Sequence, residues 1–259
     1  MKIRDILNTQ KAFIPYITAG DPDLDTTLEA LKTLSDNGAD MIELGIPFTD
    51  PVADGPTIQK ASERALKNPF HMENLFKLTK QFREDGYDTP IVLMSYANPI
   101  FVYGFDAFAK NAVANGIDAV LITDIPPEEA DDYLTSAKTH GLGTVFLCSP
   151  TTTPERLKLV DDASTAYVYY VARAGVTGAR DDLPQELQDT LRDLKQTLKN
   201  PLCVGFGIST PDHAATVAKH ADGIIVGSAL VNFFERWQGD DLLSKIATLT
   251  KDIKGAIDA

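Results

Sequence analysis

The sequence predicts an α/β chain, a (β/α)8 TIM barrel in a single domain over residues 1–259 with extra N-terminal and loop helices. Three observations carry that expectation. Short apolar runs alternate with stretches of helical periodicity eight times across the 259 residues, the repeat that such a barrel fits into about 250 residues. The runs are continuously apolar, as strands covered on both faces are. No linker and no shift in composition marks a second domain. A doubly wound open sheet is the alternative that shares the same alternation.

The expected strands are Phe13–Thr18, Met41–Gly45, Ile91–Met94, Ala119–Thr123, Thr144–Leu147, Tyr167–Val171, Leu202–Gly205 and Gly223–Val226. Between them, apolar residues recur at the three- and four-residue spacing of a helix face. Leu24, Leu28, Leu31 and Leu34 form one such face, and Leu75, Leu78 and Phe82 a second. Leu183, Leu187, Leu191, Leu194 and Leu198 form a third, and Leu242, Ile246, Leu249, Ile253 and Ile257 a fourth. Thr153-Pro154 and Thr210-Pro211-Asp212 read as helix starts. The threonine caps, and the proline occupies a first turn whose N–H groups lack partners anyway.

Composition narrows the function. The chain is 44% hydrophobic and 24% charged, ordinary for a globular protein, with a net charge of −13. Nucleic acid and anionic membrane both need basic surface, so neither is an expected partner. A small phosphorylated substrate remains open, because a few backbone amides hold one phosphate whatever the global charge. Cys148 and Cys203 sit in apolar runs without metal-ligand spacing and read as buried free thiols, which suits a reducing compartment. MKIRDILNTQ at the N-terminus lacks the apolar core of a signal peptide, and no apolar run reaches membrane-spanning length, so a cytoplasmic protein is expected.

In a barrel, chemistry belongs at the C-terminal ends of the strands. The second strand, MIELG, puts Met41, Glu43 and Gly45 on one face and Ile42 and Leu44 on the other. Glu43 is thus a carboxylate inside an apolar strand. It is either a structural ion pair or a group whose pKa burial raises towards neutrality, fit for acid–base work. No strand contains a lysine or arginine to pair with it. The following loop, IPFTDPVADGPT, carries Asp50 and Asp54 among three prolines that stiffen it. Either aspartate could simply cap a turn. Asp54, eleven positions after Glu43 on one strand–loop unit, makes an acid/base pair plausible.

Three glycine-bearing segments follow the last three strands: ARAGVTGAR (172–180), VGFGIST (204–210) and VGSAL (226–230). Loops after strands 7 and 8 commonly build a phosphate site, and Ser228 opening a helix adds a hydroxyl. No strand lysine is available for a Schiff base. The histidines, His71, His140, His213 and His220, fall away from strand C-terminal ends, so no metal triad is expected. No GxGxxG follows the first strand, which removes the dinucleotide fingerprint. What remains is carboxylate chemistry on a phosphorylated substrate.

These residues resemble the tryptophan synthase alpha chain family. ELGIPFTDPVADGPTIQ (43–59) is similar to that family's signature almost throughout. YITAGDP (16–22), MSYANPI (94–100), TDIPPEE (123–129), RAGVTGA (173–179), GFGIS (205–209) and VGSA (226–229) follow in the family's order. The resemblance implies a carbon–carbon lyase of tryptophan biosynthesis that needs no cofactor and no metal. Its reaction is the retro-aldol cleavage of indole-3-glycerol phosphate to indole and glyceraldehyde 3-phosphate. It also implies roles: Glu43 matches the catalytic glutamate of strand 2, Asp54 the loop-2 aspartate and Tyr169 the active-site tyrosine of strand 6. Gly178, Phe206, Gly207, Gly227 and Ser228 match the phosphate-binding positions, and Thr177 the threonine of the loop after strand 6. Thr49 stands where serine is usual and Ser95 where an apolar residue often stands.

The resemblance further implies a pyridoxal-phosphate beta chain as partner in an alpha2beta2 heterotetramer, to which indole passes directly. NPIFVYG (98–104) reads as a rim loop that is unusually apolar, serving either an interface or local packing. Two other functions fit parts of the pattern: another phosphate-binding barrel enzyme, and a non-catalytic partner that only activates a beta chain. The loop-2 signature argues against the first, and retention of both carboxylates argues against the second.

Overall fold

A computed structural model describes residues 2–172, 184–205 and 207–259. It contains a closed barrel of eight parallel strands in sequence order: β1 (Ala12–Thr18), β2 (Ile42–Gly45), β3 (Ile91–Ser95), β4 (Ala119–Ile122), β5 (Gly143–Cys148), β6 (Tyr167–Val171), β7 (Leu202–Gly205) and β8 (Gly223–Val226). β8 pairs back onto β1, so no edge is left and the open-sheet alternative is excluded. Strand ends differ from the sequence expectation by one residue at most.

The helices are α1 (Lys2–Thr9), α2 (Leu24–Asp36), α3 (Pro56–Ala65), α4 (Met72–Glu84), α5 (Ala97–Tyr103), α6 (Phe105–Ala114), α7 (Asp131–His140), α8 (Pro154–Ala163), α9 (Gln185–Thr197), α10 (Pro211–Ala218), α11 (Ser228–Arg236) and α12 (Gly239–Asp258). The extra helices are α1, one member each of the pairs α3/α4 and α5/α6, and one of α11/α12. Thr153 and Thr210 cap α8 and α10 as their sequences suggest, with proline at the first turn of each. The expected leucine face at 183–198 lies on α9, where Leu187 and Leu191 are buried; Leu183 is outside the described residues.

Two apolar layers result from the strand alternation. One lies between barrel and helices and includes Phe13, Ile42, Leu44, Leu93, Val168 and Val204. The other fills the barrel and includes Ile14, Met41, Val92, Leu121, Val145 and Tyr167. Ile3 and Leu7 of α1 join the interior set, so α1 plugs the N-terminal end. At the opposite end, tyrosines replace aliphatic residues and glycines make room for them. A Cβ at Gly45 would lie 2.1 Å from the Tyr16 hydroxyl, and one at Gly205 would lie 2.0 Å from that of Tyr169.

The N-terminal rim repeats one device four times. The residue just before each even-numbered strand takes a hydrogen bond on its side chain from an N–H at the start of the preceding odd strand. Phe13 donates to Asp40 (2.7 Å), Ile91 to Asp118 (2.9 Å), Thr144 to Thr165 (2.9 Å) and Leu202 to Asp222 (3.0 Å). In every case the backbone N–H of the acceptor residue returns a bond to the same strand's carbonyl. Three of the clamps carry a cation: Lys254 on Asp40, Arg83 on Asp118 and Lys195 on Asp222. The sequence repeat NGAD (37–40) and NGID (115–118) is the trace of this device.

Asp118→Ala strips the partner from the Ile91 N–H and the carboxylate from Arg83, whose guanidinium keeps the carbonyls of Gly116, Tyr87 and Thr89. An unsatisfied buried donor costs about 1–3 kcal/mol. The unfolding free energy should fall by that amount, read as a lower urea midpoint at unchanged slope, with turnover in the folded range preserved. An unchanged midpoint would show that the clamp adds nothing to stability.

Candidate active site

The C-terminal end of the barrel opens into a cavity of about 640 Å³. Glu43, Asp54, Tyr169, Gly207, Gly227 and Ser228 all line it, so the residues singled out in the sequence come together where they are described. Thr177, Gly178 and Phe206 lie outside the described residues.

Glu43 sits on β2 between Tyr16 of β1 and Val92 of β3, with its side chain inside the barrel. It is 0% exposed, and neither carboxylate oxygen has a hydrogen-bond partner among the described residues. No ion pair forms on it among those residues, which removes the structural reading of this carboxylate. Burial pushes its pKa up to about 8, and the nearby Asp54 charge adds to the rise. The hydroxyl of Tyr167, below it in the interior, is likewise buried without a partner.

The two loop aspartates separate cleanly. Asp50 is exposed and accepts a hydrogen bond from its neighbour Thr49 at 2.5 Å. Asp54 turns into the cavity. Its amide donates to the Pro51 carbonyl (3.1 Å), and its own carbonyl accepts from Gln59 of α3 (2.8 Å). Burial raises its pKa to about 6, and a hydrogen bond from the Tyr96 hydroxyl pulls the other way. The two carboxyls therefore have unlike surroundings: one sealed in apolar strand, one on a loop with a polar partner. Such pairs divide acid–base labour.

Opposite the carboxylates, the cavity wall is backbone. Gly207 has φ +35°, a region that favours glycine, and with Ile208 and Ser209 it forms the turn after β7. Gly227 is the N-cap of α11, and Ser228 is that helix's first residue. A helix N-terminus and a glycine turn facing one cavity favour an oxyanion through their N–H groups and the helix dipole. A Cβ at Gly227 would meet Tyr16 only at an ordinary 3.6 Å, so the protein itself does not demand glycine there.

One expectation needs correction. NPIFVYG is not a loop but most of α5. Its Ile100 is buried and Tyr103 packs edge-on to Phe76, whereas Phe101 and Val102 are 68% and 77% exposed. Both readings of the segment therefore hold, on opposite faces. Ser95 points away from the cavity and donates to the Tyr96 carbonyl at 2.9 Å; Met94 lines the cavity in its place. Tyr16 and Tyr96 were not singled out from the sequence. Tyr16 could have been found, because its strand register sets it beside Glu43. Tyr96 could not, since its contacts cross from β3 to the loop after β2.

A family model described as tryptophan synthase alpha chain matches residues 4–257. The tryptophan synthase alpha chain of Geobacter sulfurreducens is 44% identical over 250 residues, covering 96% of this chain and 94% of that one. The crystal structure of tryptophan synthase subunit alpha from Legionella pneumophila superposes with a TM-score of 0.90 at 41% identity, covering 99% and 98% of the two chains. A chain from the tryptophan synthase α2β2 complex of Pyrococcus furiosus superposes with a TM-score of 0.87 at 43% identity, covering 94% and 98%. With a matching family model over nearly its whole length and that degree of identity, the chain belongs to the tryptophan synthase alpha chain family.

Proposed function

We propose that the cavity binds indole-3-glycerol phosphate and that Glu43 and Asp54 carry its cleavage to indole and glyceraldehyde 3-phosphate. The observation that carries this reading is the pair of carboxylates at one cavity, the sealed one having both oxygens unpaired. Breaking the bond between indole C3 and the side-chain carbon sends an electron pair towards the ring. Indole supplies its own sink once C3 is protonated, so the step asks for no imine and no Lewis acid. Glu43 gives its proton to C3 and, as the carboxylate, takes one from the adjacent side-chain hydroxyl. A carbonyl forms there, the carbon–carbon bond breaks, and its electrons restore the aromatic ring. Glu43 ends protonated, as it began. Asp54, ionised, accepts a hydrogen bond from the indole N–H and stabilises the charge that builds on nitrogen.

The substrate phosphate then lies on the N–H groups around Gly207 and Gly227, with the Ser228 hydroxyl. Tyr169 borders the reacting carbon. By family resemblance Thr177, Gly178 and Phe206 complete the binding set, and the work is done by one domain without a cofactor. The two free buried thiols support a cytoplasmic location; no helix among the described residues is long and apolar enough to cross a membrane. The partner is a beta chain, docking on the exposed Phe101–Val102 face of α5 and on Val52, 84% exposed on the Asp54 loop. The decisive experiment is incubation of the purified chain with indole-3-glycerol phosphate and assay for indole. No indole, with or without a beta chain, would sink the reading.

Glu43→Gln should lower turnover by about 10²–10⁴-fold while the fold survives. It should also stabilise. A carboxyl whose pKa is raised on folding loses stability as pH climbs from about 4.5 to about 8, because the unfolded chain ionises first. The variant should therefore gain a few kcal/mol over the parent in denaturation at pH 8 and little at pH 4.5. Near-normal turnover would refute the assignment.

The scheme needs Asp54 ionised and Glu43 protonated, the state between about 6 and about 8. The kcat/KM profile should be bell-shaped with limbs near those values, and Asp54→Asn should be severely impaired. A fully active asparagine variant would leave Asp54 as a turn residue.

Phe101→Asp/Val102→Asp, changing only exposed side chains, should abolish complex formation with a cognate beta chain and leave cleavage by the isolated chain intact. Light scattering of the mixture checks the first expectation and indole release the second. Normal complex formation would move the docking face elsewhere.

A further inference from the structure

Tyr16 is 5% exposed, lines the cavity and packs with Ala61 of α3 and Val231 of α11. The strand register sets it directly beside Glu43. Its two ends reach the two halves of the site. A Cβ added at Gly227 would meet the near end of the side chain, Cβ and Cδ1 at 3.6 Å and Cγ at 3.8 Å. A Cβ added at Gly45, two residues past Glu43 on β2, would collide with the hydroxyl. The ring thus runs from the glycine that caps α11 to the strand that carries Glu43. It makes that crossing because β1 is the strand between β8 and β2. The phenol has no strong partner inside the protein. Burial raises its pKa above the ordinary value, so it keeps its proton. Glu43 does not take up that proton, since neither of its oxygens has a partner among the described residues. The Thr18 hydroxyl, two residues on along β1, stands 3.3 Å from the phenol oxygen, long for a bond between two hydroxyls. With Thr18 as the donor, the phenol proton is left for the cavity.

The glycerol chain of the substrate has the same two ends. One terminal carbon bears the phosphate. The other bears the indole and the hydroxyl that Glu43 deprotonates. The middle carbon bears a second hydroxyl, which the cleavage does not use. We propose that Tyr16 reads this middle hydroxyl: the ring lies along the glycerol chain, and the phenol donates to the hydroxyl oxygen. Tyr16 thereby selects a phosphorylated chain that is hydroxylated next to the bond that breaks. The proposal rests on the reading of the cavity as the cleavage site, with phosphate at Gly227 and the reacting carbon at Glu43. Given those two anchors, the middle carbon lies over the ring, and its hydroxyl is the side-chain oxygen that neither anchor holds. A buried polar group calls for a partner, and each of these two supplies the other's.

The test is Tyr16→Phe in the full chain, assayed for indole release from two compounds. One is indole-3-glycerol phosphate. The other is its analogue with hydrogen in place of the middle hydroxyl. The analogue keeps the phosphate, the indole and the hydroxyl that Glu43 deprotonates, so the same bond can break. Phenylalanine keeps the ring and its packing on Ala61 and Val231. For the full substrate, kcat/KM should fall about 10–100-fold, the loss expected when a hydroxyl in a closed site is left without its donor. For the analogue, variant and parent should agree within about twofold, the scatter of independent changes. The analogue's intrinsic reactivity is the same for both proteins and cancels. The ratio of the two rates on one preparation does not depend on the fraction folded, so loss of structure cannot imitate this result. A variant that loses the same factor on both compounds, or loses nothing on either, overturns the proposal and leaves Tyr16 as a packing residue. If the parent releases no indole from the full substrate, the reading of the cavity fails, and this proposal fails with it.

Discussion

An unpaired carboxylate sealed inside a barrel strand is the constraint on which the rest of this structure depends. Glu43 is fully buried, with both oxygens unpartnered among the described residues. Burial of an ionised carboxyl there is costly, so the group stays protonated towards neutral pH. A chain tolerates this only if everything around the residue holds its shape. The barrel interior beneath Glu43 is therefore closed by α1 and packed with aliphatic and aromatic side chains. Above it the packing opens, because Tyr16 and Tyr169 lie over Gly45 and Gly205 rather than over side chains. That opening is the cavity.

The two ends of the barrel divide the demands. The N-terminal rim is tied by four two-way clamps, three of them backed by a cation. Each joins an odd strand to the even strand that follows. The clamps fix strand starts where no chemistry occurs, and leave the opposite rim free to carry exposed N–H groups, a glycine turn with positive φ and a carboxylate on a loop. Conflict between stability and function is avoided by distance along the strands.

On the functional rim, the loop after β2 and the helix after β3 are neighbours because their strands are. Tyr96 packs between the two. Its ring and hydroxyl hold the loop at Phe48 and Ala53, and the helix it caps turns an apolar surface outward at Phe101 and Val102.

The sequence by itself predicted the barrel, the strand limits to within one residue, the face that Glu43 shares with Met41 and Gly45, and the order of the glycine segments. Those follow from local rules: side chains alternate along a strand, apolar residues recur along a helix face, and prolines and glycines punctuate both. It also named Glu43 and Asp54, through position and family resemblance. Only the tertiary structure decided that Ser95 faces away while Met94 faces in, and that α5 divides its apolar residues between core and solvent. The aspartate clamps showed in the sequence as NGAD and NGID without any sign of what they bind. Tyr96 showed only as part of MSYANPI, without any sign of what it contacts. For the clamps and for Tyr96 the deciding contact joins residues separated by tens of positions, 43 for Tyr96 and Ala53. Such pairs are set by barrel closure, which brings adjacent strand ends together, and no local pattern encodes them.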